Sequence, residues 1–271
     1  MSGALPPGER LAAAIAPEER LAAAIAPEER LAAALARLIR DPSAPPARHI
    51  AVGAASPIPA AACWLVRKGG QEVRLSLLHK RSGNPFTEGT RELFDLTGQG
   101  RIDLFFLGGG QIDGQANINL VGTGEWPGRE VRFPGSFGSA FMYFMTPRTI
   151  LFREEHSPRV LVERVDNVSA PGVSPPGVFR RGTAQALVTG RAVFRFDPAR
   201  ARFALESAHP GEDAASIRAA TGFDYDEPAS LPVTPDPTPR ELALLRGPVC
   251  DEMLETYPEF CARVFDRRAA A

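Results

Sequence analysis

The sequence predicts an α/β fold, a mostly parallel open sheet with helices on both faces, and three observations lead there. Short apolar runs of strand length recur from His49 onward, most are apolar throughout rather than alternating, and helical stretches or long glycine loops separate them. Strands buried on both faces read as continuous apolar runs, and a parallel connection needs a long return that is usually a helix. With 271 residues, of which 44% are apolar, the chain can bury a full core as one large domain with tails.

Taken in order, residues 9–18 (ERLAAAIAPE) recur identically at 19–28, and a decayed third copy, ERLAAALARL, starts at Glu29. Helix formers follow each Pro-Glu-Glu, and proline suits a first turn, where its missing N–H would be unpaired anyway. Short helical turns are expected here, or one helix kinked at Pro17 and Pro27, with only the last copy, to Ile39, apolar enough to dock. Residues 41–48 (DPSAPPAR) read as a linker. The expected division is therefore an appendage and linker over 1–48, the main domain over 49–247 and a helical tail over 248–271.

Within the main domain, 50–55 (IAVGAA) reads as a buried strand and 59–68 (PAAACWLVRK) as the following helix. Residues 73–78, 104–107, 149–152 and 160–165 all read as strands, and 186–196 (ALVTGRAVFRF) as a hairpin turning at Thr-Gly. A short helix is expected at 214–221, then helices at 239–246 and 249–265.

Composition excludes several function classes. The 31 Lys and Arg nearly balance the 32 Asp and Glu, so no overall field draws the chain to nucleic acid or an anionic membrane. Cys63, Cys250 and Cys261 are too scattered for a disulfide framework and form no CxxC pair for a metal, so a cytoplasmic protein without a metal site is expected. No apolar run approaches the roughly 18 residues that span a bilayer, and no basic-then-apolar leader opens the sequence.

Two stretches carry the chemistry. In residues 98–124 (GQGRIDLFFLGGGQIDGQANINLVGTG) a strand runs into Gly108, Gly109 and Gly110, where glycine lets a backbone pass close to a ligand or adopt positive φ. Behind it, strand alternation puts Gln111 and Asp113 on one face and Asn117 and Asn119 on another; Asp and Asn also commonly serve only to bond turns. Residues 132–144 (RFPGSFGSAFMYF) set Gly135, Ser136 and Gly138 before an apolar helical run, whose first N–H groups can stabilise an anion. The alternative there is an ordinary helix cap by Ser136 or Ser139.

Together these segments resemble the β subunits of glutaconate-type, family I coenzyme A transferases. Residues 108–119 (GGGQIDGQANIN) are similar to the family's Gly-Gly-Ala-Gln-Ile-Asp-x-x-Gly-Asn-x-Asn signature, and 135–140 (GSFGSA) to its Gly-Ser-Gly-Gly-Ala loop. The segments 52–60 (VGAASPIPA), 165–172 (VDNVSAPG), 189–196 and 209–223 extend the likeness over about 49–247. The resemblance implies a CoA-transferase-like sheet, an α-type partner subunit, an acyl-CoA substrate and no permanently bound cofactor. It also implies ligand-site roles: backbone donors and room at Gly109, Gly110, Gly135 and Gly138; orientation of CoA or the acyl carbonyl by Gln111 and Asn117; bracing by Asp113 and Asn119.

The family's nucleophile is a glutamate at the end of the strand before the glycine signature. It forms an acyl anhydride and then a glutamyl-CoA thioester, which requires a carboxylate oxygen that can attack and then leave. Here residues 75–83 read LSLLHKRSG, so His79 or, in another register, Lys80 holds that place. The catalytic residue is thus open, with His79 as a general base and Glu88 or Glu92, expected in a polar loop, as displaced carboxylates. Two further departures are Ala116 and Phe137, each where the family pattern has glycine. Members lacking the β glutamate resemble CoA-thioester hydrolases of ring degradation, where the partner supplies the carboxylate. Transfer of CoA between acids, hydrolysis, and an inactive CoA-binding sensor are the readings carried forward.

Overall fold

The computed structural model describes residues 24–266 apart from Pro85, Gly89, Trp126 and Arg129. The first repeat copy, with the kink expected at Pro17, and the first half of the second copy lie outside the described residues. The third copy forms α1 (Pro27–Ile39), which starts at a proline and has Glu29 accepting from the Ala26 N–H at 2.9 Å. Glu29 is buried, and Arg246 grips both of its oxygens at 2.6 and 2.7 Å, tying α1 to the far end of the chain.

The strands β1 (His49–Val52), β2 (Arg74–Leu77), β3 (Leu104–Leu107), β8 (Arg148–Arg153), β9 (Thr183–Thr189), β10 (Ala192–Asp197) and β11 (Arg202–Ala208) form one sheet in the order β11-β10-β9-β8-β3-β1-β2. Every pairing from β2 to β9 is parallel, and β10 and β11 add an antiparallel flank. The expected α/β fold with a mostly parallel sheet is therefore present. Two small hairpins, β4 (Gln111–Ile112) with β5 (Ile118–Asn119) and β6 (Gly122–Thr123) with β7 (Val131–Arg132), stand off the sheet.

Alternation along the central strands explains the two-sided cover. Ile50, Val52, Leu104, Phe106 and Ile150 face a core made with α1, α2 (Pro57–Lys68) and the C-terminal helices. Ala51, Phe105, Leu107 and Leu151 face the other core, shared with Leu93 of α3 (Thr90–Gly98), Met142 and Tyr143 of α4 (Ser139–Met145) and Ile217 of α5 (Ala214–Ala220).

Four local expectations are corrected. Residues 160–165 form no strand: Leu161 makes one bridge to Ile112, and the segment turns, because its hydrogen bonds brace the β4–β5 hairpin instead of the sheet. Glu92 lies in α3, not in a loop. Strand β11 stands where no strand was expected, its alternation hidden by Arg202 and Glu206 on the wetter face and by the polar Ser207 among its buried positions. The helix expected over 249–265 is broken: after α6 (Pro239–Leu244) the chain kinks at Gly247, whose backbone is not helical, and continues past Pro248 into α7 (Cys250–Met253), and α8 begins afresh at Pro258 and runs to Phe265. Proline inside a helix removes a ladder donor and clashes with the preceding turn, so Pro258 opens a helix rather than continuing one.

Candidate active site

From β1 the chain crosses through α2 to β2 on one side, then returns through α3 to β3 on the other side of β1. The strand order thus reverses between β1 and β3, and in open α/β sheets the crevice beyond the carboxyl ends of such strands is the usual ligand site. A cleft of about 1080 Å³ lies there. Its walls are residues 55–59 after β1, residues 107–111 after β3 and residues 153–155 after β8, with Phe133 and Pro134 closing one side. Phe106, Leu107 and Val160 give it an apolar floor, and the positive end of α2 faces it at Ser56 and Pro57.

The glycine run lines this cleft, for a reason other than the one expected. Gly108, Gly109 and Gly110 all avoid positive φ. Space is what demands glycine: a Cβ would come within 2.9 Å of the Phe152 carbonyl at Gly108, 2.7 Å of the Gln111 carbonyl at Gly109 and 2.2 Å of the Phe133 ring at Gly110. The Gly110 N–H donates to the Asn119 carbonyl at 2.9 Å and is therefore occupied.

The four polar signature residues pair across the β4–β5 hairpin. Asn119 donates from Nδ2 to Gln111 Oε1 at 2.7 Å, and the same oxygen accepts the Asp166 N–H at 3.0 Å. Asp113 accepts from the N–H groups of Gln115 and Asn117 and from Asn117 Nδ2, all at 3.0 to 3.1 Å. Asn117 Oδ1 in turn accepts the Gly172 N–H at 3.0 Å. Bracing is thus visible for Asp113 and Asn119, and Asn117 is spent on the same hairpin; of the four, Gln111 alone lines the cleft. Behind the turn, the Tyr143 hydroxyl donates to the Ala116 carbonyl, and burial raises its phenol well above the usual range.

The second glycine loop is arranged differently. Gly135 is exposed at φ +112°, Ser136 and Gly138 are only partly buried or exposed, and the cleft wall stops one residue short of the loop at Pro134. Gly138 is the N-cap of α4 without a side-chain cap bond, so neither Ser136 nor Ser139 caps the helix; the Ser139 hydroxyl is buried and unpartnered. Ala116 (φ 60°) and Phe137 (φ 46°) keep the left-handed backbone that explains glycine at both positions in the family pattern.

His79 follows β2, is exposed and stands outside the cleft lining. Glu88 is 62% exposed and pairs with Arg91 at 3.0 Å. Glu92 accepts the Thr87 and Glu88 N–H groups at the start of α3, and those bonds, that from Glu88 first, hold its carboxyl below the usual range. The carboxylates that do line the cleft are Glu130, Glu154, Glu155 and Asp166, which were not singled out in the sequence. Glu155 is held below the usual range by hydrogen bonds from Ser157 and Arg159, and Asp166 accepts the Gly124 N–H at 2.8 Å. Glu154 has its carbonyl fixed by the Gly190 N–H and its side chain exposed. The reversal of strand order, invisible before the topology is known, was the signal that would have found them. Among the described residues, no group of His, Cys, Asp and Glu is placed to hold a metal ion.

Comparison with known proteins places this geometry. The chain is 29% identical over 140 residues to the B subunit of glutaconate CoA-transferase of Acidaminococcus fermentans, covering 49% of this chain and 52% of that one. It is 28% identical to the B subunit of 3-oxoadipate CoA-transferase of Pseudomonas knackmussii, over 55% of this chain and 59% of that one. It is 30% identical to the cholesterol ring-cleaving hydrolase IpdB subunit of Rhodococcus jostii, over 58% and 62%. The matches thus span about half to three fifths of these relatives. No family model matches the chain. Among solved structures, the decarboxylase AibA/AibB superposes with a TM-score of 0.69 at 25% identity, and Rhodococcus jostii IpdAB with 0.71 at 24%; both cover 82% of this chain and 94% of the other. The resemblance to glutaconate-type CoA-transferase β subunits, and the fold it implies, are borne out.

Proposed function

We propose that this chain is the β subunit of a heteromeric enzyme of the CoA-transferase family, acting on an acyl-CoA thioester in the cleft between β1 and β3. The observation that carries the reading is the meeting of the glycine signature with the strand-order reversal: residues 108–111 form the wall of a large, apolar-floored cleft at the place where the topology puts a ligand. Gly109, Gly110 and Gln111 line the acyl thioester, Asp113, Asn117 and Asn119 hold the hairpin that presents them, and Gly135, Ser136 and Gly138 border the entrance. The missing half of the site comes from an α-type partner. The three free, buried cysteines fit a reducing cytoplasm.

The reaction is transfer of CoA between carboxylic acids, through a carboxylate that this chain does not carry at the end of β2. One observation favours a second reading, hydrolysis with the partner's glutamate: the residues that follow β2, Leu78, His79 and Lys80, include no carboxylate able to form an acyl anhydride. The test is to incubate the chain and its partner with a panel of acyl-CoAs, with and without an acceptor acid, following free CoA and new thioester. New thioester only with acceptor supports transfer, and free CoA without acceptor supports hydrolysis. Neither product, with CoA still bound, would overturn both and leave a CoA-binding sensor.

A further inference from the structure

The cleft is apolar at its floor, and its cations are already engaged. Ile58, Phe106, Leu107 and Val160 line it and are buried, with Leu120 half-buried beside them. Phe133 closes one side. Its N–H donates to the Val121 carbonyl at 3.1 Å, and its ring rests where a Gly110 side chain would stand, 2.2 Å from the place of a Cβ. Ring and glycine therefore form one continuous apolar wall.

The charges narrow the ligand further. The cations lining the cleft are Arg153 and Arg159, and both turn to Glu155. Arg159 Nη2 grips the two Glu155 oxygens at 2.7 and 2.8 Å, and Arg153 Nη2 lies 3.6 Å from one of them, its own Nε being buried. Glu130, Glu154 and Asp166 also line the cleft and form no ion pair among the described residues, so negative charge exceeds positive there. A carboxylate at the far end of an acyl group would meet like charge with no cation to pair with, and a carboxylate that leaves water unpaired is strongly disfavoured. An alkyl chain meets no such barrier and gains from each methylene it buries.

We infer that this cleft selects acyl-CoA thioesters whose acyl group is an uncharged aliphatic chain, and that Phe133 is the residue of this chain that recognises it. The inference rests on the acyl-CoA reading above and names its substrate class, apolar monocarboxylic acyl groups in preference to short or diacid ones.

The experiment gives the chain, assembled with its partner, butanoyl-, hexanoyl- or adipoyl-CoA with acetate as acceptor, and takes kcat/KM from free CoA and acetyl-CoA together. Hexanoyl and adipoyl groups have equal carbon counts and differ by a terminal carboxylate. Expected is a lead of hexanoyl- over adipoyl-CoA of roughly a hundredfold or more. Its lead over butanoyl-CoA is expected at roughly tenfold, from about fourfold per buried methylene. Phe133→Ala should cut the lead over butanoyl-CoA to about threefold or less. Glu154→Gln, at an exposed side chain and therefore safe for the fold, should narrow the lead over adipoyl-CoA by about fivefold, the scale of one charge removed from a partly solvated cleft. Adipoyl-CoA used as well as hexanoyl-CoA would overturn the inference and leave the acyl-CoA reading standing. Leads unchanged in both variants would move the selection to the partner and overturn the assignment to this cleft. No turnover of any of the three thioesters would overturn the acyl-CoA reading itself, and this inference with it.

Discussion

The two glycine-bearing segments that carry the family resemblance are built in opposite ways. In residues 108–119 nearly every polar group is spoken for: Asp113 accepts three bonds at 3.0 to 3.1 Å, Gln111 and Asn119 hold each other, and Ala116 is fully buried. In residues 135–140 the loop is half-exposed, Phe137 is 70% exposed, and the Ser139 hydroxyl has no partner. The first segment is scaffold that fixes one cleft wall; the second is a border with room to change. That difference explains why the first keeps its polar signature while the second accepts a phenylalanine.

Breaking the scaffold should have the largest effect. Asp113→Ala strands the three backbone donors, the N–H groups of Gln115, Asn117 and Val165, and the Asn117 amide it now holds, so we expect about 3 to 5 kcal/mol lower stability, at roughly 1 to 3 kcal/mol per buried unsatisfied group. Denaturant unfolding measures this, and a loss below about 1 kcal/mol would show the hairpin to be braced by something else. Gly109→Ala is expected to cost on the order of 2 to 3 kcal/mol, because its new Cβ meets the Gln111 carbonyl at 2.7 Å and the backbone must shift.

A pH effect of middle size comes from the sheet end next to the cleft. Burial, followed by the nearby Arg191 charge, lowers the His156 imidazole from 6.5 to about 4, between hydroxyls of Thr189 at 2.8 Å and Thr221 at 2.9 Å. The unfolded state then binds more protons between those two values, so the His156 contribution is complete above pH 6.5 and is lost as pH falls towards 4. At pH 5 the loss is about 2 kcal/mol relative to neutrality. His156→Gln removes that slope, and an unchanged slope in the variant would assign the pH dependence elsewhere.

The border loop should respond least. Phe137→Gly relieves a left-handed non-glycine residue, worth about 1 kcal/mol, but loses the contact with Phe94 at 5.4 Å between ring centres, a pair worth roughly 0.5 to 1.5 kcal/mol. Stability is therefore expected to stay within about 1 kcal/mol of wild type in thermal unfolding. Ser139→Ala removes an orphaned hydroxyl and should be neutral or slightly stabilising, by well under about 1 kcal/mol. A drop above about 1 kcal/mol in either variant would mean that the loop is as tightly built as the hairpin.

Most of the sheet was legible in the sequence because its strands are continuous apolar runs: the expected runs for β1, β2, β3 and β8 all fall on strands of the sheet. Strand β11 escaped because its outer face carries Arg202 and Glu206, and 160–165 misled because Val160, Leu161 and Val165 are buried without pairing into the sheet. At the site, composition gave the residues but not their use. Asn117 is the instructive case, since an amide in a ligand-binding signature turns out to hold its own turn and Gly172. The cleft carboxylates depend on which strands become neighbours, information that local pattern does not contain.

The central claim is that the crevice between β1 and β3, walled by residues 107–111, receives the acyl end of a CoA thioester. Photolabelling tests it most directly: the chain and its partner are irradiated with a diazirine-bearing acyl-CoA, and the labelled peptides of this chain are mapped by mass spectrometry. The account expects label on cleft residues such as Phe133, Leu120 and Val160, suppressed by excess unlabelled acyl-CoA. Specific label confined to residues outside this cleft would contradict it.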